Sequence, residues 1–320
     1  MLFRYKKSLD KEIGNAVAKS LKVNVLNVSK IKSGEVNHVY KIETDKKALL
    51  ARVFRYDNWP EDGKLRWIDR QFTKYNIPHA KLLYLTRSDK WFPNGFMVTD
   101  YIEGKSANDA VKSKELSRND YYIHVARLLK KVHGVRVKKF GDWHGRFGTD
   151  SSLLKFLLRR VVLKASQIKR MKYYDKNLEG EVSTKLISLL GPVEKKLKPV
   201  LTHGDPGKDN CIWTKKGKLI LIDWDNARSS SWLRDYADLM FWESYSAQFN
   251  KTPKTQATDA RKSFLRGYGK TGLTNAEINR ITQAFFIVQA VNLLPYYYFD
   301  QQNMKAFRNT RLMLRELLKS

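Results

Sequence analysis

The spacing of apolar and polar positions changes once along this chain. Up to about residue 101, apolar residues come in short runs. Residues 23–31, 36–43 and 48–54 are β-rich and separated by turn-forming residues, which predicts three strands. Residues 60–75 then show helical spacing, with Pro60 suited to a helix start, and further strands are predicted over 81–85 and 96–99. From about residue 107 the helical period dominates. Tyr122, Val125, Ala126, Leu129, Val132 and His133 share one face, and Gly134 ends that helix. Helices are also predicted over 233–249, 257–267, 275–294 and 304–318. One β insertion interrupts them, where Thr214-Lys215-Lys216-Gly217-Lys218 turns between two apolar runs. A β-rich first part and a helical remainder predict an α+β layout of two lobes, 1–101 (with a hinge to about 104) and 105–320, with a ligand cleft between them.

Composition narrows the setting. In 320 residues, 42% are hydrophobic, enough for a real core. Cys211 is the single cysteine, so no disulfide framework can form and a reducing compartment is expected. Residues 1–22 carry charges every few positions and lack the apolar core of a signal peptide. Residues 284–298 are apolar but interrupted by Gln289 and Asn292 and reach only to Pro295, too short and polar to span a bilayer. A cytoplasmic protein is the expectation. The net charge of +29 attracts anionic ligands, and its lysines are spread through the chain rather than gathered in a tail.

The chemistry concentrates in 201–238. A short apolar approach leads to His203-Gly204-Asp205; Asn210 follows, and a hairpin then delivers Asp223. Phosphoryl transfer needs a carboxylate that orients a hydroxyl and takes its proton, and oxygen ligands that hold Mg²⁺ against phosphates. This segment supplies Asp205 as base and Asn210 and Asp223 as metal ligands. Each alone could be a turn residue, a loop cap or a strand end; the spacing is what favours function. His203 and Asp225 read as local scaffolding, and Cys211 as a small buried apolar residue. Gly267-Tyr268-Gly269-Lys270-Thr271 imitates a P-loop but has Phe264 where a glycine is required, so a helix–helix turn is expected. The six histidines show no metal-ligand spacing.

His-Gly-Asp-x-x-x-x-Asn, Ile-Asp-Trp-Asp and Asp-Tyr-Ala-Asp-Leu together resemble the aminoglycoside phosphotransferase and choline kinase superfamily. The resemblance spans about residues 23–250 and implies a bilobal protein-kinase-like fold, ATP with Mg²⁺, and a small-molecule hydroxyl as acceptor. Residues 33–40, with Gly34 and Asn37, resemble its nucleotide loop, although Gly34 is the only glycine there. Arg52, in 48–52, matches the strand base that reaches the phosphates. Glu61 matches the helix acid that pairs with that base, with Asp62 as an alternative. Residues 96–104, with Asp100 and Ile102, resemble the linker whose backbone binds adenine.

Acceptor expectations follow from charge. Residues 151–200 and 251–320 each hold 12 basic and 4 acidic residues, which disfavours a cationic aminoglycoside and favours a neutral or anionic alcohol. The aromatic run 295–299 could stack on a sugar or cage an amine, though it is expected to pack helices. A non-catalytic nucleotide-binding scaffold and a basic nucleic-acid-binding protein are the alternatives. The intact Asp205, Asn210, Asp223 set argues against the first, and the lack of a reader motif against the second.

Overall fold

In the computed structural model, residues 9–31, 37–57, 59–172 and 175–320 are described. They form two compact units. One comprises the described residues up to Lys105 together with Ile212–Asp225; the other comprises Ser106–Cys211 and Asn226–Ser320. The hairpin segment thus belongs with the β-rich part of the chain, whereas the sequence expectation counted it with the second lobe.

The first unit is built on an antiparallel sheet in the order β1-β2-β3-β5-β4, formed by β1 (Val25–Ile31), β2 (His38–Thr44), β3 (Ala48–Val53), β4 (Leu82–Thr86) and β5 (Phe96–Asp100). Alternation puts Tyr40 and Ile42, Leu49, Ala51 and Val53, and Phe96 and Val98 on buried positions. They pack with Ile13, Ala16 and Val17 of helix α1 (Asp10–Leu21) into one core. Burying each large apolar side chain there contributes about 1.5–3 kcal/mol. Helix α1 had no counterpart among the predicted elements; its buried apolar residues are few, Ile13, Ala16 and Val17, and are set among charged and polar ones. The helix expected over 60–75 is α2 (Asp62–Lys74), whose N-cap position is Glu61. A smaller sheet joins β6 (Gly104–Ser106) to the hairpin β8 (Cys211–Thr214) and β9 (Leu219–Leu221), in the order β6-β8-β9. Gly104 approaches that hairpin so closely that a Cβ would lie 2.3 Å from the Trp213 carbonyl oxygen.

The second unit is mainly helical: α3 (Ala107–Lys112), α4 (Arg118–Val132), α5 (Leu153–Ile168), α6 (Leu178–Leu190), α7 (Leu233–Phe249), α8 (Lys254–Tyr268), α9 (Asn275–Pro295) and α10 (Met304–Lys319). Ser117 and Ser152 cap α4 and α5, and Thr274 with Glu277 forms a full capping box on α9. Strand β7 (Val200–Thr202) pairs antiparallel with β10 (Arg228–Ser230), bracketing the loop that carries Asp205. The Gly-Lys-Thr imitation is a turn between α8 and α9, with Gly269 at φ +75°. The aromatic run ends α9 in a π-helical turn, Tyr296–Asp300, where Tyr298 packs on Phe307. Among the described residues, no helix is long and apolar enough to cross a membrane.

Candidate active site

Asp205 sits in the loop between β7 and β8. Its carboxylate accepts from Asn210 Nδ2 at 2.8 Å, and the same amide donates to the Asp205 carbonyl at 3.0 Å. The pair closes the five-residue turn that Pro206 and Gly207 begin. The loop is also held from behind. Asp235, fully buried at the start of α7, accepts from the backbone N–H of His203 at 2.8 Å and of Gly204 at 2.7 Å. Its other neighbour is His133 Nε2 at 3.1 Å, and His133 in turn meets the Tyr268 hydroxyl at 3.0 Å. Burial would raise the Asp235 pKa, but the His133 bond and charge, with Arg234, outweigh it and hold the carboxyl below its usual range. His203 is buried and its Nδ1 accepts from the Asp205 N–H at 3.3 Å, the scaffold part expected of it. Cys211 is buried too, and burial pushes its thiol up to about 12. Asp238 is pushed well above the carboxylate range by burial, with Asp205 adding to the shift.

Lys208, inside the same loop, was not singled out in the sequence. Its Nζ lies 3.5 Å from Glu243 Oε1 and over the rings of Tyr121 and Tyr122. Burial, with Arg118 nearby, lowers its pKa to about 8.

In the first unit, Arg52 is 7% exposed and forks between two acids: Nη1 to Asp223 Oδ1 at 3.1 Å and Nη2 to Asp225 Oδ1 at 2.6 Å. This corrects the expected pairing of Arg52 with Glu61 or Asp62. Asp62 instead binds Arg87 Nε at 2.6 Å, and Glu61 binds Lys64 at 2.6 Å. Lys64 is itself buried and donates to the Asp225 carbonyl at 2.8 Å, so α2 reaches the acid cluster through a lysine. Asp225 is more than local scaffolding. Burial drives its carboxyl up to about 6; Arg52 opposes the shift and Asp223 adds to it. Asp223 adopts φ +62°, a conformation that costs most side chains about a kcal/mol but that Asp tolerates. It remains 48% exposed at its side chain.

The other residues that the resemblance assigns to the nucleotide are placed more plainly. Gly34 lies outside the described residues. Asn37 is buried and accepts from the Arg55 N–H at 3.4 Å. Asp100 ends β5 and pairs with Lys47; Ile102 follows it, half-buried. The residues present suit Mg²⁺ in one respect that can be checked. Asn210 uses its amide nitrogen on Asp205, which leaves its Oδ1 without a partner among the described residues, and Asp223 keeps an oxygen beyond the one Arg52 binds. Mg²⁺ is commonly held by one or two protein oxygens with phosphates and water completing its shell. Among the described residues, no group of three or more His, Cys, Asp or Glu could hold a metal.

A cavity of about 700 Å³ lies among α5, α6, α9 and α10, lined in part by Ile168, Leu178, Leu294, Phe307, Arg311 and Arg315. Neither Asp205 nor Asn210 lines it.

Solved structures share this fold along nearly the whole chain. Choline kinase LicA from Streptococcus pneumoniae is 17% identical with a TM-score of 0.66, covering 97% of this chain and 99% of its own. A thermostable mutant of aminoglycoside phosphotransferase APH(4)-Ia, in ternary complex with AMP-PNP and hygromycin B, is 14% identical with a TM-score of 0.71, covering 96% and 98%. No functionally curated protein matches the chain by sequence. The fold is the protein-kinase-like one that the motifs implied. A model of the phosphotransferase enzyme family matches residues 27–276, most of the molecule, and the chain belongs to that family.

Proposed function

We propose that the protein transfers the γ-phosphate of ATP to a hydroxyl of a small molecule, in the presence of Mg²⁺. Asp205 accepts the hydroxyl proton as the oxygen attacks phosphorus and the bond to the departing ADP breaks. Asn210 Oδ1 and the Asp223 carboxylate hold Mg²⁺, which neutralises phosphate charge when bound. Arg52 meets the nucleotide phosphates, the backbone of 100–102 faces adenine, and Gly34 and Asn37 belong to the phosphate loop. Glu61 acts one step away, by fixing Lys64. The cytoplasm is the proposed location.

The observation that carries this is the braced loop. A half-buried carboxylate is oriented by one amide, and the backbone before it is fixed by a buried acid. Such pre-organisation serves a group that must meet a hydroxyl in one orientation. The strongly basic surface favours a neutral or anionic acceptor over a polycation such as an aminoglycoside. The test is ADP release from ATP and Mg²⁺ with panels of sugars, amino alcohols, nucleosides and antibiotics. Stimulation by at least one class, abolished in Asp205→Asn, is expected. No stimulation by any class, with nucleotide bound normally, would favour a non-catalytic scaffold.

A further inference from the structure

Beside the Asp205 loop, the second unit gathers arginines with few carboxylates to meet them. Strand β10 is tied to Gly141 by a reciprocal backbone pair, Gly141 N–H to Ser229 O and Ser229 N–H to Gly141 O, both 2.9 Å. This sets Asp142 next to Arg228. Asp142 Oδ2 accepts from Arg160 Nη1 at 3.1 Å, and Asp142 Oδ1 lies 3.4 Å from Arg228 Nε. Arg234, the second residue of α7, closes the group. Its guanidinium donates to Thr202 Oγ1 at 3.2 Å, to the Asn226 carbonyl at 3.4 Å and to the Gly204 carbonyl at 3.2 Å. It lies so close over Gly204 that a Cβ there would meet it at 2.2 Å, and Gly204 adopts φ +85°, so only glycine fits.

The charges do not balance locally. Arg160, Arg228 and Arg234 each lie within electrostatic reach of the other two, and all three act on Asp142. Lys164 follows Arg160 one turn later on α5 and adds another positive charge. Of the acids behind them, Asp235 supports the charges of Arg228 and Arg234 but is shared. Asp235 is committed to His133 and the loop backbone, and burial favours the neutral form of Asp238. Arg160 Nε and Arg228 Nε are buried with no hydrogen-bond partner among the described residues. Burial, with Arg234 and Arg160, pushes the Arg228 guanidinium well below its ordinary value. Yet the group is open to water, with side-chain exposures of 15% for Arg228, 20% for Arg160 and 39% for Asp142. Guanidiniums clustered around one carboxylate, with an open side, match a tetrahedral oxyanion, which accepts several charged hydrogen bonds at once.

We propose that Arg160, Arg228 and Arg234 form a phosphate-binding site adjoining the catalytic loop, with Asp142 as the internal carboxylate that a phosphate competes with. Arg234 touches the carbonyl of Gly204, the residue before Asp205, so the site abuts the proposed base along the chain itself. Two sources share this chemistry: a phosphate carried by the acceptor alcohol, or free inorganic phosphate. The acceptor source rests on the phosphotransferase proposal; the binding site does not.

The test is calorimetric titration of the full-length protein with inorganic phosphate at low ionic strength and without nucleotide. Arg228→Gln and Arg160→Gln should each weaken binding about tenfold. Asp142→Asn should tighten it several-fold, a gain that misfolding cannot mimic. Arg315→Gln, on α10, should leave it unchanged and so controls for the general positive field. Equal phosphate affinity in all four variants, or weaker binding in Asp142→Asn, overturns the site. The source is then read from ADP release with matched pairs such as glycerol and glycerol 3-phosphate. A preference for the phosphorylated partner that Arg228→Gln removes, with phosphate as a competitive inhibitor, identifies the acceptor. Phosphate acting without competition identifies a free ligand. Absence of turnover with every alcohol would count against phosphotransfer and leave the calorimetric result standing.

Discussion

Asp205 and Asp223 come from one stretch of sequence and are held by opposite means. Asp205 is fixed locally: its partner Asn210 is five residues on, and the backbone before it hangs on the buried Asp235. Asp223 is half-exposed, takes a left-handed conformation, and is tied to Arg52, 171 positions away in sequence. The proposed base is therefore placed by a neighbouring amide, through the Asn210 nitrogen rather than the oxygen proposed to meet the metal, and by a buried acid behind the loop. The proposed metal ligand is bonded to the very cation assigned to the nucleotide phosphates. A base needs fixed direction, whereas a metal-binding carboxylate must exchange partners when Mg²⁺ and ATP arrive.

The sharpest way to break this contrast is to amidate each acid. Asp205→Asn keeps the shape and removes the proposed base, which should lower turnover about 10²- to 10⁴-fold with little change in MgATP affinity. Asp223→Asn should weaken MgATP binding as well as turnover. Calorimetric titration of MgATP beside acceptor kinetics distinguishes them; equal loss of nucleotide binding in both would dissolve the division of roles.

The support behind each acid can be tested by stability. Asp235→Ala strips a fully buried carboxylate from two backbone N–H groups and His133, and should cost about 3–5 kcal/mol in urea unfolding. Arg52→Met should cost less, about 2–3 kcal/mol, because Asp225, already raised to about 6, can take up a proton. Adding Asp225→Asn to Arg52→Met should recover more than half of that loss. A double variant no more stable than the single one would show that the Arg52–Asp225 pair is not what Arg52 contributes.

These contrasts also explain what could be seen beforehand. The loop-and-hairpin spacing pointed to Asp205, Asn210 and Asp223, and the structure bonds Asp205 to Asn210 within one loop. The β-rich and helical periods located most strands and helices. Pairing across long separations was not legible. Nothing in 48–54 indicates that Arg52 meets Asp223 and Asp225, and the resemblance pointed to Glu61. A lysine in a first helical turn reads as solvated surface, so buried Lys64 gave no signal. Lys208 went unmarked because the tyrosines beneath it come from another helix. The arginine group assembles from α5, β10 and α7, and only the fold brings Arg160 near Arg228.

The smallest effect concerns Lys208, and its sign is fixed by linkage. Its ammonium sits over Tyr121 and Tyr122, and burial, with Arg118, lowers its pKa from 10.5 to about 8. Between about 8 and 10.5 the unfolded chain therefore holds a proton that the folded chain has released. Stability must rise with pH across that window, by at most about 1.4 kcal/mol per pH unit from this group. Below pH 8 both states are charged and its contribution is flat. Other groups also favour higher pH, because titrating lysines relieve the self-repulsion of a +29 chain. The informative quantity is thus the difference between wild type and Lys208→Met, which keeps the aliphatic stem and removes the charge. Urea unfolding at pH 7.5, 8.5 and 9.5 should show a wild-type rise that is steeper than the variant's. Parallel curves would mean that the Lys208 ammonium is solvated in the folded protein and that the Asp205 loop does not hold it against the tyrosine rings.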